Sequence, residues 1–307
     1  MASSKLDAAR ARADAARVIP AVVHVIWLQG EHVMPRFEYH VLSRTRACAH
    51  RHGWGVRVWS HEDVEAELEG DRRLLAVWGA LTDLHQRVAM ARAVIAYFRG
   101  GLVLSASSEL VGDPSALATT STKPRTLFSV LPLTPMQSRA LSLGACHQLI
   151  SHAAVLTTPR RPQWYAYACG LRPHVADATR RAVPLEAFAT FFGHESDALR
   201  LALSSGVIYF SVFWEPMAAN GDATLLPSSV LEPLPWGAAA LPDLDAERGA
   251  VVVHWRKLSS CGGDLAALLL SDRGPYVVLA SVLVPNLVLW CVLFCVCAVV
   301  VRKLVQR

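Results

Sequence analysis

Arg92 is the residue whose surroundings in the sequence point most directly to a chemical role. It lies in a stretch predicted to be helical, from Leu84 to Phe98, and shares one face with apolar residues such as Val88 and Ile95. An unpaired buried cation costs several kcal/mol, so a charge on this face favours a cleft or a partner group over a side chain that only snorkels to solvent. The sequence therefore predicts that Arg92 lines a cleft or contacts a partner.

A second group of candidate functional residues lies within or at the ends of the apolar runs of the chain. Trp27 ends one such run and is followed by Gln29 and Gly30, which makes a pocket-lining position as plausible as a core position. His24 lies inside that apolar run and is interpreted as a core histidine. His254 closes a later run, and both a functional and a structural role stay open for it.

The elements that must position these residues alternate between strands and helices. Predicted strands cover 21–27, 56–59, 102–104, 126–131, 207–213 and 251–255, and predicted helices cover 37–52, 61–69, 71–81, 84–98 and 163–181. This alternation predicts an α/β fold in which helices cover a largely parallel sheet. Gly100 and Gly101 follow the helix of Arg92, where glycine commonly ends a helix.

Three segments carry a resemblance to a known family. Residues 19–30 read IPAVVHVIWLQG, residues 53–60 read GWGVRVWS, and residues 89–101 read AMARAVIAYFRGG. They resemble, in order, the motifs I-P-K-I-I-H-Q-I-W-x-G, P-G-W-x-x-x-x-W-x-D and S-D-x-x-R-x-x-x-L-x-x-x-G-G. These motifs belong to glycosyltransferases with a DXD sugar-binding region, the group that contains the yeast outer-chain mannosyltransferase and the inositol-phosphoceramide mannosyltransferases. The likeness runs from about residue 19 to 113 and returns at His254, where the family often has H-H-x-x-x-S-W.

The resemblance implies a GT-A-like, Rossmann-like domain that binds a nucleotide sugar, either a UDP- or a GDP-sugar. Such a donor needs an aromatic surface for its base and positive charge beside its diphosphate. By analogy Trp27 lies near the base, Arg92 faces the donor sugar, and His254 lies near the diphosphate. Arg92 and His254 are the candidate catalytic residues. The remaining positions carried over as candidate donor-binding residues are Gln29, Gly30, Gly100, Gly101, Ser105 and Ser107.

The sequence departs from the family where the family binds its metal. The family has Y-L-D-x-D after the double glycine, because two aspartates hold the divalent cation that neutralises the leaving diphosphate. Here Ser105 and Ser107 occupy both positions, and Ala89 replaces the aspartate that precedes the arginine. Bound Mn²⁺ or Mg²⁺ is therefore doubtful, and Glu109 or Asp113 would have to supply the missing carboxylates.

These departures leave three hypotheses open. The first is a membrane-bound transferase that moves a hexose from a nucleotide sugar to a lipid or glycoprotein acceptor, with impaired or rebuilt catalysis. The second is a non-catalytic protein of the same fold that serves as a binding module or as the partner of an active transferase. The third is an α/β domain unrelated to sugar transfer.

The C-terminal region predicts attachment to a membrane. Residues 276–301 contain no charged side chain, and at about 1.5 Å per residue they can cross the roughly 30 Å hydrocarbon layer as a helix. The predicted organisation is a lead-in at 1–18, a GT-A-like domain at 19–270, a connector at 271–275, the span, and a basic tail at 302–307. We expect a single-pass protein of the endomembrane system. Its topology stays open, because a lone C-terminal span suggests a tail anchor whereas the basic tail suggests a cytosolic C-terminus.

Charge distribution argues against nucleic acid as a partner. The net charge of +5 comes from the basic tail, which carries Arg302, Lys303 and Arg307, and from the lead-in, so residues 18–301 are neutral overall. A neutral body without a basic block is a poor binder of polyanions. The bilayer, a nucleotide sugar and a lipid or glycoprotein acceptor are the expected partners.

Overall fold

The computed structural model describes residues 18–118, 126–130, 148, 150–173, 207–227, 230 and 251–254. The elements in chain order are β1 (Val22–Ile26), α1 (Arg36–Arg51), β2 (Gly55–Trp59), α2 (His61–Leu68), α3 (Arg72–Ala80), α4 (Leu84–Phe98), β3 (Gly101–Leu104), β4 (Ser108–Leu110), α5 (Ser115–Ala118), β5 (Thr126–Val130), β6 (Ile150–Thr157), α6 (162–173), α7 (Val207–Ala219), β7 (Thr224–Pro227) and β8 (Val252–His254).

Six strands form one mixed sheet in the order β2-β1-β3-β6-β5-β7. β1 is parallel to both β2 and β3, β7 is parallel to β5, and β6 is antiparallel to its neighbours β3 and β5. β4 and β8 make a separate antiparallel pair. The predicted α/β class with a mostly parallel sheet is confirmed, and this arrangement is consistent with a GT-A-like fold.

Helices bury the two faces of the sheet in two separate hydrophobic clusters. On one face Ile26 and Trp59 pack with apolar residues of α2, α3, α4, α6 and α7. On the opposite face Val23 and Val25 pack with α1 and with the β4–β8 pair. Successive side chains of β1 point to opposite faces of the sheet. Because α1 covers one face and α4 the other, the two helices lie on opposite sides of the parallel strands.

Polar N-cap residues precede three of the helices that follow β2. The Ser60 hydroxyl accepts a hydrogen bond from the Asp63 backbone N–H at 3.2 Å while the Asp63 carboxylate accepts one from the Ser60 N–H at 3.0 Å, a capping box at the start of α2. Asp71 and Asp83 cap α3 and α4 in the same way through their carboxylates.

The strand predicted at 207–213 is wrong, because this segment begins the helix α7. Nearly every residue of this segment is apolar, so its sequence fits a buried helix as well as a buried strand. Phe210 and Trp214 are almost fully buried, and the Ser211 hydroxyl accepts a hydrogen bond from the Ile150 backbone N–H at 2.8 Å, which fixes α7 on β6. β4, β6 and β7 had no predicted counterpart.

Among the described residues no helix is long and apolar enough to cross a membrane. The predicted span at 276–301, the connector, the basic tail and residues 1–17 of the lead-in lie outside the described residues.

Candidate functional site

The order of the three parallel strands places a candidate ligand gap at their carboxyl ends. From β1 the chain passes over one face through α1 to reach β2, and over the other face through α4 to reach β3 on the opposite side of β1. Helices that leave in opposite directions open a gap where the strand order reverses, and ligands of open α/β sheets bind in such gaps. The gap here lies between the ends of β1 and β3.

Trp27 is the first residue after β1 and stands at this gap. Its backbone N–H donates to the Trp59 carbonyl at 3.0 Å, and its carbonyl accepts from the Gly30 N–H at 2.9 Å, so both sides of the turn are fixed. The half-buried ring packs against the α1-side cluster. Its indole nitrogen Nε1 is buried and has no hydrogen-bond partner within the described part of the chain. The ring therefore offers an aromatic edge and an unused donor to the gap.

Gln29 and Gly30 form the rest of that turn. Gln29 is exposed, and Gly30 has φ +89°, where an added Cβ would lie 2.8 Å from the His32 ring. A side chain at position 30 would be strained and crowded, which explains the glycine without a ligand. Gln29 is thus free to contact a ligand, whereas Gly30 shapes the turn.

Ser105 and Ser107 stand across the gap, directly after β3. Because Val25 pairs with Leu104, Ser105 follows β3 at the level where β1 ends. The two hydroxyl oxygens lie 3.1 Å apart and share a hydrogen bond, and the Ser105 backbone N–H donates to the Ala153 carbonyl at 2.7 Å. Both serines are half-buried. They present a neutral, hydroxyl-lined rim where the resembled family has two carboxylates.

The carboxylates nearest in sequence are already engaged. Glu109 on β4 is buried and forms an ion pair with Arg44 on α1, with 2.7 Å between Nε and Oε1. Asp113 accepts a hydrogen bond from the Ser115 backbone N–H at 2.8 Å, and this bond holds the pKa of Asp113 below its ordinary value. Within the described ranges no cluster of three His, Cys, Asp or Glu residues could hold a metal ion. The described side chains do not fit the divalent cation that the resemblance implies.

Arg92 lies on α4, on the opposite face from Trp27, and is 5% exposed. Burial lowers the pKa of Arg92 to about 10, with a smaller opposing influence from Tyr167 on α6. Its Nε has no hydrogen-bond partner, and no ion pair to it occurs in the described part of the chain. The structure thus links Arg92 with Tyr167 and gives no contact between it and Trp27 or the serines.

The double glycine lies at the other end of the sheet. Gly101 begins β3 and Gly100 precedes it, so both are at the amino ends of the strands. Their φ angles are +65° and +84°, and an added Cβ would lie 2.6 Å from the Pro159 nitrogen at position 100 and 2.5 Å from the Val22 carbonyl oxygen at position 101. Close approach of Thr157 and Pro159 to Gly100 and of β1 to Gly101 accounts for both glycines, which do not join the gap.

His254 is the last described residue of β8, and its backbone pairs with Ser108 of β4. Ser108 follows Ser107 directly, so the end of β8 lies beside the serine turn. Of the residues predicted for the site, the structure therefore brings Trp27, Gln29, Ser105 and Ser107 to one edge of the sheet, with the backbone of His254 next to them.

His24 is part of the core. The Trp59 indole N–H donates to His24 Nδ1 at 3.0 Å, so the neutral ring carries its proton on Nε2. Burial, followed by the charge of Arg57, lowers the pKa of His24 to about 4. The interpretation of this residue as a core histidine agrees with its position.

Tyr167 is the residue that the sequence did not single out. It is 1% exposed, its hydroxyl has no partner among the described residues, and burial raises its pKa above the ordinary value. α6 was predicted as a helix, but nothing in its sequence indicates which of its side chains meets α4, because that contact depends on tertiary packing.

Comparisons with known proteins add little to this geometry. No family model matches the chain, and no curated protein sequence matches it. Among solved structures, one named PaToxG Glycosyltransferase is similar with a TM-score of 0.37 and 10% sequence identity, covering 71% of this chain and 78% of that chain. A TM-score at this level does not establish a shared fold.

Proposed function

We propose that this protein binds a nucleotide sugar at the gap between β1 and β3 and is a glycosyltransferase-like protein. The observation that carries the proposal is the position of Trp27 and Ser105, which directly follow two adjacent parallel strands at the point where the strand order reverses. This position is the usual ligand site of open α/β sheets. An aromatic ring on one side and hydroxyls on the other suit a base joined to a polyhydroxylated sugar.

In this proposal Trp27 stacks near the base and its unpartnered Nε1–H donates to the ligand. Gln29 and the hydroxyls of Ser105 and Ser107 bind the ribose or the sugar. His254 lies beside the diphosphate, as proposed from the resemblance. If the protein is active, it transfers a hexose from a UDP- or GDP-sugar, with Arg92 facing the donor sugar and His254 stabilising charge that develops on the departing diphosphate.

Donor binding is proposed to need no divalent cation. Serine hydroxyls are weak metal ligands, and Glu109 already neutralises Arg44 across the α1–β4 contact. Moving Glu109 out of that ion pair would separate a buried carboxylate from its cation, which is costly. Ser105 and Ser107, in place of the family's two aspartates, also favour the second candidate function, a non-catalytic protein of the same fold that binds the nucleotide sugar or an active partner.

We propose that the protein acts at a membrane. Support comes from the charge-free segment 276–301, which has the length and composition of a membrane-spanning helix. A single-pass protein of the endomembrane system would meet lipid or glycoprotein acceptors at the bilayer surface. The neutral body of the chain makes nucleic acid a poor partner.

Isothermal titration of the full-length protein, solubilised in detergent, with UDP- and GDP-sugars tests the proposal. We expect micromolar binding of at least one donor that is unchanged by manganese. Binding that requires manganese would contradict the metal-free site, and failure of a folded protein to bind any UDP- or GDP-sugar would contradict the function itself. Donor turnover, followed as released nucleoside diphosphate, then separates a transferase from a non-catalytic binder.

The variant Trp27→Ala tests the site. Stacking of a base on an aromatic side chain contributes about 1–3 kcal/mol, so we expect donor affinity to fall by roughly 5- to 150-fold. Tyr39→Ala is the matched control, because Tyr39 is an exposed aromatic residue on α1. Equal affinity in the wild type and the Trp27 variant would place the base elsewhere.

A further inference from the structure

Within the described part of the chain, the charge of Arg92 has no counterion. The residue is 5% exposed, its Nε has no hydrogen-bond partner, and none of the described acidic side chains pairs with it. The helical positions one turn before and after it are Val88, Ala89, Ile95 and Ala96, all of them apolar. With a pKa of about 10 the guanidinium keeps its proton at neutral pH. A buried cation of this kind is stable only with an anion beside it.

Tyr167 brings a second unused donor to the same place. The hydroxyl of this buried residue has no partner in the described part of the chain. Burial raises the pKa of Tyr167 while the nearby charge of Arg92 acts to lower it, so the two groups interact and the phenol stays protonated. Its ring stacks on Tyr209 of α7 with 5.1 Å between ring centroids, which fixes the ring position. A guanidinium and a phenol O–H together form a donor set that suits a carboxylate.

The direction of α4 puts this donor set under the ligand gap. α4 and β3 are separated by Arg99 and Gly100 alone, so the helix runs antiparallel to the strand and its N-terminus lies at the carboxyl ends of the strands. Arg92 lies about 9 Å back from the end of α4, and helical side chains lean towards the helix N-terminus. The guanidinium is therefore directed to the level at which β3 ends in Ser105.

We propose that Arg92 and Tyr167 bind the carboxylate of an acidic donor sugar, so that the donor is a nucleoside diphosphate hexuronate rather than a neutral hexose. This inference rests on the proposed nucleotide-sugar function. Hydroxyls of a neutral sugar would accept hydrogen bonds from both groups but leave the charge of Arg92 uncompensated. A carboxylate at C6 satisfies the hydrogen bonds and the charge together, in the planar geometry that a guanidinium binds bidentately.

Titration of the full-length protein with two isosteric pairs of donors tests the inference. UDP-glucuronate and UDP-glucose differ at C6 alone, as do GDP-mannuronate and GDP-mannose. We expect the uronate of at least one pair to bind about 10- to 100-fold more tightly than its neutral counterpart, since hydrogen bonds to charged groups are the strong ones. Equal binding within each pair would overturn the inference while leaving nucleotide-sugar binding intact, and binding of none would overturn both.

Two variants assign the preference to these residues. Arg92→Met is expected to bring the uronate-to-neutral affinity ratio close to 1, and Tyr167→Phe to lower it roughly fivefold to tenfold. Tyr167→Phe removes an oxygen that has no partner among the described residues, so it keeps the test available if the Arg92 variant does not fold. Arg99→Met is the control, because Arg99 caps the same helix, is exposed, and pairs with Glu67 outside the gap. A ratio that stays high in Arg92→Met and Tyr167→Phe alike would overturn the assignment.

Discussion

Unused hydrogen-bond donors mark the candidate site at the scale of single residues. Trp27 Nε1, Arg92 Nε and the Tyr167 hydroxyl are buried and lack partners in the described part of the chain. An unsatisfied buried donor costs about 1–3 kcal/mol, so a fold keeps several of them at one end of a sheet only at a net loss of stability. A ligand with an acceptor for each donor would recover that loss, and the proposed donor sugar nucleotide offers an acceptor to each of the three.

Gly101 provides the clearest single-residue prediction for the fold. An alanine there would carry a positive φ of +84° and a Cβ 2.5 Å from the Val22 carbonyl oxygen. Gly101→Ala should therefore lower the free energy of unfolding by about 2–4 kcal/mol, measured by urea denaturation. Gly79→Ala is the control, since no atom lies within 4 Å of its added Cβ and alanine favours the helix α3. Equal stability of both variants would contradict the close approach of Gly101 to the Val22 carbonyl of β1.

The sequence was informative about residue type and less so about residue partners. Arg92 was predicted to need a cleft because a cation on an apolar helix face is costly wherever that face is buried. Tyr167 carries no comparable signal, because a tyrosine is common in a core and its unpartnered hydroxyl appears only when α6 is packed against α4. Gly100 and Gly101 could be placed at a helix end from sequence, but their distance from the ligand gap follows from the direction of β3.

At the scale of elements, local signals predicted the first half of the chain well. N-caps at Ser60, Asp71 and Asp83 and alternating β-branched runs fix element ends within one or two residues through β3. α7 was predicted as a strand, because a run that is apolar on all sides carries no period of 2 or 3.6 residues. β6 was not predicted at all, and its antiparallel pairing with β3 is what makes the sheet mixed.

The start of α2 is held by a reciprocal cap that can be tested alone. Ser60→Ala removes the hydroxyl that accepts from the Asp63 N–H, and we expect a loss of about 1 kcal/mol in the free energy of unfolding by urea denaturation. Ser43→Ala on the exposed face of α1 is the control, because its hydroxyl only donates to the Tyr39 carbonyl of the same helix. Its stability should stay within about 0.5 kcal/mol of the wild type. A Ser60 variant as stable as this control would mean that the cap contributes nothing.

At the scale of the whole molecule, the ligand gap is a consequence of strand order. The chain alternates strands and helices whichever order the strands take, so the sequence pattern predicts the class of fold and not the gap. Strand pairing decides that β2 and β3 flank β1, and the burial of α1 and α4 on opposite faces follows from which side chains of β1 each helix covers. Trp27 and Ser105 become neighbours only through that tertiary arrangement.

The stability of the whole domain should depend on pH through one buried base. His24 is held neutral in the folded chain with a pKa of about 4, whereas a histidine in the unfolded chain has a pKa of about 6.5. Between these two values the unfolded chain binds a proton that the folded chain does not. The free energy of unfolding therefore rises with pH in this window, and stability is lost as pH falls from about 6.5 towards 4.

His24→Gln isolates this contribution, because glutamine keeps an acceptor for the Trp59 indole and does not titrate. We expect the wild type to lose about 2–3 kcal/mol more than the variant between pH 7.5 and 4.5, measured by urea denaturation at each pH. Carboxylates that titrate in the same range contribute equally to the wild type and the variant, so their contribution to the pH dependence cancels in this difference. His40→Gln is the control, since this side chain is exposed on α1 and is expected to keep the wild-type dependence. If His24→Gln follows the wild-type dependence as well, the histidine does not enter the core as a neutral base, and its buried position on β1 against Trp59 would be wrong.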